Sequence, residues 1–440
     1  MVNLAGSFCQ LSSKRVLVVG DYMLDTYTIG KVRRISPEAP VSVLQVEKEE
    51  NRPGGSGNVI LNLISMGAEV KALGRIGNDK AGSILKETFA QEGVNISSLF
   101  VDNDFQTPLK NRIIAENQQI VRVDFEKIEP LSEVLEQQII ESLSSILEDI
   151  DIVAISDYAK GFCSRTLLEA IITNCIKRNI PVIVDPKGND FSKYEGATII
   201  KPNYSEAVIA SGLDANASID KVAQQLIKIT KSALFITRSE KGITIFNQNG
   251  QSENYPVHVK EVRDVVGAGD TVLATLTCAI ASGLTLTESA KLANVAAGIA
   301  IEHLGCARVS LSDMARRLLE TDSVYKVFDE EHIFALQAAL KNRRVVILGV
   351  SQKGGSLTPT LFKALRKLSS NSETDLIIYM KDSTDVEFVS LLASLHEVDF
   401  IVLKSQSLQS LCEQIHPNEV YIFDEDQLCS LEHTEALLLT

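Results

Sequence analysis

Residues 181–206 read PVIVDPKGNDFSKYEGATIIKPNYSE and hold two short apolar runs, Pro181–Val184 and Thr198–Ile200, each followed by a polar phrase. Similar runs rich in Val and Ile recur through the first three hundred residues, and a longer segment with helical spacing follows each. This alternation predicts a parallel sheet covered by helices. The other clear strands are Arg15–Val19, Ile152–Ser156 and Leu234–Thr237. Because ligands bind at the carboxyl ends of strands in open α/β sheets, we expect a functional site in the phrases GDYMLD, SDYAKG, DPKG, KPNYSE and TRSEKG.

The 440-residue chain is 45% hydrophobic and 23% charged, which is typical of a folded, soluble protein and excludes a disordered chain. Single hydrophobic cores stop growing near about 250–300 residues, so we expect two domains. The 43 basic and 57 acidic residues give a formal net charge of −14. This acidity argues against nucleic acid or an anionic membrane as a partner, although a local basic pocket can still hold a phosphate.

Seven cysteines and six histidines are scattered without a C-x-x-C, an H-E-x-x-H or a His/Cys cluster. Their spacing argues against a disulfide framework and a transition-metal site, and the odd cysteine count points to a reducing compartment. The N-terminus lacks the basic start and apolar run of a signal peptide. The longest uncharged central stretch, Thr271–Thr287, is short for a bilayer span and predicts a buried helix. We therefore expect a cytoplasmic protein.

Two stretches depart from the pattern of fully buried strands. Pro40–Glu47 and Arg112–Glu126 alternate apolar and polar residues with a period of two, which indicates strands with one solvated face. Such strands predict a small sheet that projects from the main one as a lid. Since its edges would need covering, we expect a homodimer formed through this lid.

A second β/α alternation begins at Arg343, after charged and mostly helical sequence. It contains strand-like Arg344–Leu348, Asp375–Met380, Asp399–Leu403 and Glu419–Phe423, with helix-like Pro359–Leu368 between the first two. We place the domain boundary so that the two domains are residues 1–325 and 326–440.

The segment Asp264–Thr271 (DVVGAGDT) places Gly267, Ala268 and Gly269 at the start of the uncharged helix. Glycine lets backbone N–H groups turn toward one point, and a helix N-terminus favours negative charge, so this turn can act as an anion hole for a phosphoryl group. The same N–H groups would keep Asp270 ionised, and it could accept the proton of an attacking hydroxyl. The alternative is an ordinary turn in which Asp270 only caps the helix.

The pattern D-x-x-G-A-G-D-T resembles a signature of the ribokinase-like carbohydrate kinase family, and GGSGN at 54–58 resembles its other signature. Further segments are similar to the kinase domain of the bifunctional heptose kinase/adenylyltransferase family, which phosphorylates D-glycero-β-D-manno-heptose 7-phosphate and then adenylylates the product. They are GDYMLD at 20–25, RISPEAPV at 34–41, RPGG at 52–55, SDYAKG at 156–161, DPKG at 185–188 and TRSE at 237–240. The resemblance covers about residues 10–320. It implies a ribokinase-like parallel-sheet sandwich with a small β lid, followed by a smaller Rossmann-like, nucleotidyltransferase-type α/β domain.

The resemblance also assigns roles. Asp270 matches the catalytic base, and Gly267, Ala268 and Gly269 match the anion hole. The N-x-x-E segment is associated with the ATP phosphates and Mg²⁺, which Glu206 would position through water; its residues are Asn203, Tyr204, Ser205 and Glu206. The alternative for this segment is a helix cap with an acid in the first turn. Other nucleotide contacts would come from Arg238, Gly242 and Asn294.

Sugar hydroxyls are selected by short acids and amides, and a substrate that already carries phosphate needs a cation. The sugar-contact candidates are Asp21, Asp25, Gly54, Gly55 and Asn58. The phosphate-contact candidates are Lys110, Arg112, Lys160 and Lys187, each of which has a solvated surface charge as its alternative. Glu116 departs from these relatives, which have an arginine before N-Q-Q, so part of the lid contact differs.

The second domain departs further. Its relatives carry G-V-F-D-x-x-H-x-G-H, whereas this chain has GVSQKGGSLT at 349–358, with Gln352 at the aspartate position and Gly355 and Thr358 at the histidine positions. The chain also ends at Thr440, before their serine/threonine-rich nucleotide loop. We expect a domain that keeps the fold and has lost adenylyltransferase activity. A basic glycine loop at Lys353–Ser356, a dimerisation or docking module, and a cap on the kinase are the alternatives.

The leading hypothesis is an ATP- and Mg²⁺-dependent kinase that phosphorylates heptose 7-phosphate at its anomeric hydroxyl. The alternatives are a kinase of another phosphosugar, a bifunctional kinase/adenylyltransferase, and a sugar- or nucleotide-binding regulator without turnover. An intact base at the reacting centre argues against the regulator.

Overall fold

The computed structural model describes residues 10–116, 118–257, 264–303, 305–321, 326–328, 333–340, 343–350, 357–369, 374–380, 386–403, 407–424 and 426–431. These residues form two compact units, one of Leu11–Ser310 and one that begins at Leu311. The units divide upstream of the predicted boundary at 325/326 because helix Leu311–Thr321 packs against helix Ile333–Leu340. The assignment of the domains as 1–325 and 326–440 stays a prediction.

The first unit is an α/β structure. Its strands are β1 (Arg15–Gly20), β2 (Tyr22–Ile35), β3 (Ser42–Gly55), β4 (Glu69–Gly77), β5 (Asn95–Asp102), β6 (Leu109–Ala115), β7 (Gln118–Phe125), β8 (Ile152–Ser156), β9 (Val182–Asp185), β10 (Ile199–Ile200), β11 (Ala233–Thr237), β12 (Ile243–Phe246) and β13 (Ser252–Tyr255). Its helices are α1 (Ser56–Ser65), α2 (Lys80–Gln91), α3 (Glu133–Ile146), α4 (Arg165–Arg178), α5 (Tyr204–Ser211), α6 (Ile219–Thr230), α7 (Ala268–Ala281) and α8 (Leu286–Ala300).

The main sheet has the strand order β13-β12-β11-β10-β9-β8-β1-β4-β5. All neighbours from β11 to β5 run parallel, and β12 and β13 continue the sheet antiparallel. The five strands predicted from apolar runs correspond to β1, β8, β9, β10 and β11, so these predictions are confirmed. Because these strands are parallel, the polar phrases that follow them meet at one edge of the sheet.

One large core lies between the main sheet and helices α3, α4 and α6, which contribute Ile139, Leu168 and Leu226 among other side chains. Helix α7 packs against α1, α8 and the strands β8 and β9. Residues 270–279 of α7 are all buried, which confirms the predicted buried helix. Its threonines are satisfied within the helix, since Thr275 and Thr277 donate to the carbonyls of Thr271 and Leu273 at 2.8 and 2.7 Å.

The lid is a separate four-stranded sheet in the order β3-β2-β6-β7. The alternating stretches predicted as lid strands correspond to β3, β6 and β7, whereas β2 was not predicted. The first seven residues of β2 are buried in succession, so this strand shows no alternation in its first half. All eight residues of β7 are exposed, so the prediction that only one face is solvated is wrong for this edge strand. Among the described residues, no helix or second sheet packs on β7 to bury its apolar side chains.

The second unit is built on a six-stranded sheet in the order β14-β17-β16-β15-β18-β19. Its strands are β14 (Val327–Phe328), β15 (Arg344–Val350), β16 (Thr374–Met380), β17 (Phe400–Leu403), β18 (Glu419–Asp424) and β19 (Gln427–Ser430), and its helices are α9 (Leu311–Thr321), α10 (Ile333–Leu340), α11 (Pro359–Leu368), α12 (Val386–Ser394) and α13 (Leu408–Ile415). The strands pair parallel except for the β18–β19 hairpin. The predicted strands and the helix at 359–368 are confirmed. Every helix among the described residues is too short or too polar to cross a membrane.

Candidate active site

The candidate site begins at the N-terminus of α7, where Gly267 adopts φ 79° and ends the incoming turn. A Cβ on Gly267 would lie 2.7 Å from Nδ2 of Asn58 and would also crowd Cys306, so the turn requires glycine on steric and conformational grounds. The first-turn N–H groups of a helix have no intrahelical partner. Gly269 and Asp270 therefore present their N–H groups at a positive helix end, which suits an anion, whereas the Ala268 N–H makes a long hydrogen bond of 3.4 Å to the carbonyl of Val265.

Asp270 lies in this first turn and is only 3% exposed. Its two carboxylate oxygens accept hydrogen bonds from the Tyr158 hydroxyl at 2.6 Å and from Nδ2 of Asn58 at 2.9 Å. Burial raises the pKa of Asp270 to about 7, and nearby Asp185 adds to the rise, while Tyr158, Asn58 and Lys201 oppose it. The direction is opposite to the expectation that N–H groups keep Asp270 ionised, because loss of hydration outweighs the local donors.

Two charged residues that we did not predict lie beside the anion hole. Lys201 follows β10 and Asp185 ends β9, and their Nζ and Oδ2 atoms are 2.9 Å apart. A Cβ on Gly269 would lie 3.6 Å from Lys201 Nζ and 3.8 Å from Asp185 Oδ2. Burial raises the pKa of Asp185 to about 6 against the opposing effect of Lys201. Both residues follow parallel strands, so the rule that identified DPKG and KPNYSE contained the signal for them.

Asp21 is a predicted sugar contact, and the structure shows its carboxylate engaged by backbone. It accepts hydrogen bonds from the N–H groups of Tyr158, Lys160 and Phe162 at 2.9, 3.0 and 3.2 Å. These bonds hold the loop after β8 against the end of β1, and so they place the Tyr158 hydroxyl on Asp270. Asp21 thus contributes to the site as a loop anchor.

Asp25 lies on β2 of the lid and is buried with Arg112 of β6. The Arg112 guanidinium donates to one carboxylate oxygen of Asp25, and the Cys306 thiol lies 3.6 Å from the other. Gly54 packs directly on the same carboxylate, because a Cβ there would lie 2.3 Å from Asp25 Oδ2. Arg112 therefore neutralises a buried acid, which places it beside the predicted sugar pocket.

Lys110 and Lys160, two of the predicted phosphate contacts, converge on one carboxylate. Their Nζ atoms lie 3.3 and 2.8 Å from Glu126, and both side chains are mostly buried. Lys110 is also the register partner of Asp25 across β2 and β6. Burial acts to raise the pKa of Glu126, but Lys160 and Lys110 outweigh it and hold that pKa below its ordinary value. Two ammonium groups therefore lie together on the lid side of Asp270.

Two adjoining cavities lie on the opposite side of the anion hole. One of about 580 Å³ is largely apolar and includes Gly242, Val272, Asn294 and Ala297 in its wall, with Ala268 and Gly269 at one end. Asn294 donates to the carbonyl of Tyr255 at 2.6 Å. The second cavity, of about 530 Å³, is polar and is lined by Asn203, Tyr204, Ser205, Thr237, Arg238, Ser239 and Lys241. Six of the seven predicted nucleotide contacts line these cavities, and Glu206 is the exception. Together the cavities offer an apolar slot and a cationic entrance.

Glu206 closes a capping box at the start of α5. Its carboxylate accepts from the Asn203 N–H at 3.0 Å, and the Asn203 side chain accepts from the Glu206 N–H at 2.8 Å. Lys187 pairs with the other Glu206 oxygen at 2.7 Å. The structure therefore brings Lys187 to the nucleotide side and not to Lys110 and Lys160. The capping box, which was the alternative for the N-x-x-E segment, is present, and a cap leaves the carboxylate able to hold an ion through water.

Comparison with known proteins identifies the family. A family model for pfkB family carbohydrate kinases matches residues 13–313. The chain belongs to the pfkB family of carbohydrate kinases. The Bifunctional protein HldE of Trichlorobacter lovleyi is 44% identical over 346 residues, which cover 77% of this chain and 70% of that protein. The protein of the same name from Geobacter metallireducens is 38% identical over 419 residues, covering 91% and 86%.

Solved structures show the same fold at low identity. The ribokinase of Arabidopsis thaliana complexed with ribose and ATP has a TM-score of 0.55 at 18% identity, and the phosphofructokinase-2 of Escherichia coli in complex with potassium has 0.59 at 21%. Each comparison covers 70% of this chain and 99% of the other. The predicted ribokinase-like α/β fold is confirmed, and this pfkB kinase is an ATP-dependent sugar kinase. The nucleotidyltransferase-type assignment of the second unit stays a prediction.

Proposed function

We propose that this pfkB kinase transfers the γ-phosphoryl group of ATP to the anomeric C1 hydroxyl of D-glycero-β-D-manno-heptose 7-phosphate, giving the 1,7-bisphosphate. The product is a precursor of ADP-heptose and the lipopolysaccharide core. The support is the resemblance to heptose kinases along the first unit, together with HldE relatives at 44% and 38% identity. The chain's own residues supply a second, independent argument.

The observation that carries the proposal is the pair of lysines on the lid side of Asp270. A sugar that already bears a phosphate needs cations at the far end of its pocket from the reacting hydroxyl. Lys110 and Lys160 supply two ammonium groups that are held in place by Glu126, and Lys110 also pairs with Asp124 at 3.4 Å. A phosphate with two negative charges competes with the Glu126 carboxylate for the same two cations. The pocket is therefore built for a phosphosugar and not for a neutral sugar.

The reaction follows from the same arrangement. The sugar hydroxyl donates its proton to Asp270, its oxygen forms a bond to the γ-phosphorus, and the bond to the ADP oxygen breaks with its electron pair remaining on ADP. The N–H groups of Gly267, Ala268 and Gly269 face the charge that spreads over the phosphoryl oxygens. A pKa of about 7 suits Asp270 as a general base, because a catalytic base works best with a pKa near the operating pH.

We also propose Mg²⁺ as the metal of this reaction. Magnesium prefers oxygen ligands and keeps several waters, and Glu206 provides a carboxylate next to Tyr204 and Ser205, which line the polar cavity. Both Glu206 oxygens are already engaged, by Lys187 and the Asn203 N–H, so this side chain would hold the ion through water. When bound, Mg²⁺ neutralises charge on the ATP phosphates.

The test is ATP consumption against a panel of sugars with and without a terminal phosphate, with the product position read by phosphorus NMR. We expect turnover with heptose 7-phosphate and a new resonance at C1. Lys110→Met and Lys160→Met should raise KM for the phosphosugar by about 10–100-fold and leave KM for ATP within about twofold. Lys31→Met is the matched control, since its Glu47 pair lies on the exposed end of the lid.

The panel also decides between the leading proposal and its alternatives. Preference for another phosphosugar would support a kinase with changed substrate choice, for which exposed Glu116 in the β6–β7 turn is the sequence departure. Preference for an unphosphorylated sugar would contradict the role given to Lys110 and Lys160. Absence of turnover with every sugar would favour a binding protein.

For the second unit, we propose that adenylyltransferase activity has been lost. Gln352 and Gly355, and the basic loop Lys353–Ser356, lie outside the described residues. Thr358, at the second histidine position, caps α11 by accepting from the Leu361 N–H at 3.1 Å and donates to Asp426. A threonine engaged as a cap does not replace a histidine on a phosphate. The purified chain should form no ADP-heptose from heptose 1-phosphate and ATP; formation of ADP-heptose would show a bifunctional enzyme.

We further propose a homodimer formed through the lid. Strand β7 is an edge strand with exposed apolar side chains at Ile120, Val121, Val123 and Phe125. An exposed apolar edge is a site for pairing with another chain. Sedimentation should therefore give a dimer, and Phe125→Asp should shift it toward monomer. A monomeric wild-type chain would contradict this proposal.

A further inference from the structure

A lysine to which the sequence assigned no role lies buried against the anion hole. Lys201 is 3% exposed and stands at the carboxyl end of β10, next to Asp185 at the end of β9. Their side chains form an ion pair of 2.9 Å. Within the described part of the chain, Asp185 is the ion-pair partner that the structure records for Lys201. An ammonium group has three donors, so the pair leaves donors for a further acceptor.

A buried ion pair needs a reason beyond stability. Removing two charges from water costs several kcal/mol per ion, and well-packed apolar residues of similar size are often as stabilising. The position of this pair supplies the reason. The notional Cβ of Gly269 lies 3.6 Å from Lys201 Nζ, so the ammonium lies beside the first turn of α7. An anion held by the N–H groups of that turn would meet the lysine directly.

We propose that Lys201 is a further catalytic residue, whose ammonium contacts the phosphoryl group during transfer while Asp185 holds it in position. This inference rests on the anion hole proposed above and not on the identity of the sugar. As the bond to ADP breaks, negative charge spreads over the phosphoryl oxygens and the leaving oxygen. A fixed cation in a water-poor site stabilises that charge without reorganisation. The backbone N–H groups orient the phosphoryl oxygens, and the Lys201 ammonium adds a full positive charge.

The same pair acts on Asp270. The charged and titratable groups that face Asp270 are Tyr158 from the loop after β8, Asp185, Lys201 and the thiol of Cys306. Burial and neighbouring carboxylates raise the pKa values of Tyr158 and Cys306, so both stay protonated near neutral pH. Lys201 lowers the pKa of Asp270 and Asp185 raises it. Removal of Lys201 should therefore raise the pKa of Asp270, and removal of Asp185 should lower it.

The experiment compares Lys201→Met, Lys201→Arg and Asp185→Asn with the wild type. Lys201→Met should lower kcat about 10²–10³-fold, the cost typical of losing one preorganised donor, with KM for the sugar within about threefold. Lys201→Arg should restore part of the loss because it keeps the charge. In a plot of kcat/KM against pH, the acid limb should move to higher pH for Lys201→Met and to lower pH for Asp185→Asn. Lys71→Met is the control, since Lys71 lies at the amino end of β4 and contacts carbonyls of α3.

A second measurement does not depend on the sugar. ADP with aluminium fluoride mimics the phosphoryl group in transfer, and calorimetry gives its affinity beside that of ADP alone. Lys201→Met should weaken the ADP–aluminium fluoride complex at least about tenfold more than the ADP complex. Equal weakening of both, turnover within threefold of wild type, or acid limbs that move in the same direction would each overturn the proposal. If no sugar is turned over but the two affinities separate, the sugar assignment fails and the role of Lys201 stands.

Discussion

Asp270→Asn should make this kinase more stable and nearly inactive, and both effects follow from how the side chain is buried. The carboxylate accepts from Tyr158 and Asn58. In the variant, the amide oxygen can accept from Asn58 while the amide nitrogen donates to the Tyr158 oxygen. The shape and most of the hydrogen bonding are kept, and the buried charge is removed.

The magnitude comes from the pKa of Asp270, which burial raises from 3.8 to about 7. A raised carboxyl pKa means that the folded state prefers the protonated form. The favourable contribution of Asp270 to the free energy of unfolding is complete below pH 3.8 and is lost as the pH rises through about 7. At pH 8 the ionised wild type is therefore less stable than a neutral variant by up to about 4 kcal/mol. For a unit of roughly 300 residues this corresponds to about 6 °C in Tm.

The assay is thermal unfolding at pH 4.5 and pH 8, followed by circular dichroism because the chain has no tryptophan. We expect a higher Tm for the variant at pH 8 and a much smaller difference at pH 4.5. Turnover should fall about 10²–10⁴-fold, the usual contribution of a general base, with ATP binding retained. Asp157→Asn is the matched control: it removes a buried aspartate that pairs with Lys193 at 2.6 Å, and so it should lower Tm at pH 8.

Three outcomes would refute this reasoning. A variant with near-normal turnover would remove Asp270 from its role as base. A variant less stable than wild type at pH 8, or a Tm difference that does not change with pH, would show that Asp270 carries no raised pKa.

Two further predictions concern the anion hole and the nucleotide cavity. Gly267→Ala should lower Tm and turnover together, because the new methyl group would lie 2.7 Å from Asn58, which binds Asp270. Gly283→Ala has a similar φ of 84° but open space around it, so it should cost only the backbone strain of about 1–2 kcal/mol and leave turnover intact. Ala297→Phe should fill the 580 Å³ cavity and raise KM for ATP at least about tenfold, with KM for the sugar unchanged in steady-state assays. Equal turnover in the two glycine variants, or an unchanged KM for ATP, would contradict these predictions.

The fold was predictable because buried parallel strands leave a local signal. The runs at Ile152–Ser156 and Pro181–Val184 are continuous and apolar, and each ends at a polar phrase, so their position and direction follow from burial alone. Strand β2 escaped prediction for a related reason. Its first half is buried on both faces and its second half is exposed, so no single period describes its 14 residues.

The candidate site was predictable where glycines mark it and where a polar phrase follows a parallel strand. Gly267 needs its positive φ, and a motif around it is visible in the sequence. Lys201 and Tyr158 lie in the phrases KPNYSE and SDYAKG, but their individual roles depend on contacts with residues far away along the chain and could not be assigned from the sequence. Tyr158 reaches Asp270 across 112 positions. The pKa of Asp270 was predicted in the wrong direction, since the depth of burial that raises it depends on the packing of α7 and is not visible in the sequence.

The division of the first unit into two sheets separates chemistry from substrate choice. Asp270 and the anion hole belong to α7, which is buried along residues 270–279 and packs on the main sheet. The cations proposed to hold the sugar phosphate, Lys110 and Lys160, come from β6 and from the loop after β8. Substitutions on the lid can therefore redirect such an enzyme to a new phosphosugar while the bond-making apparatus stays untouched, whereas a change in α7 affects every substrate equally. We expect sequence differences between kinases with different substrates to lie mainly on the lid strands.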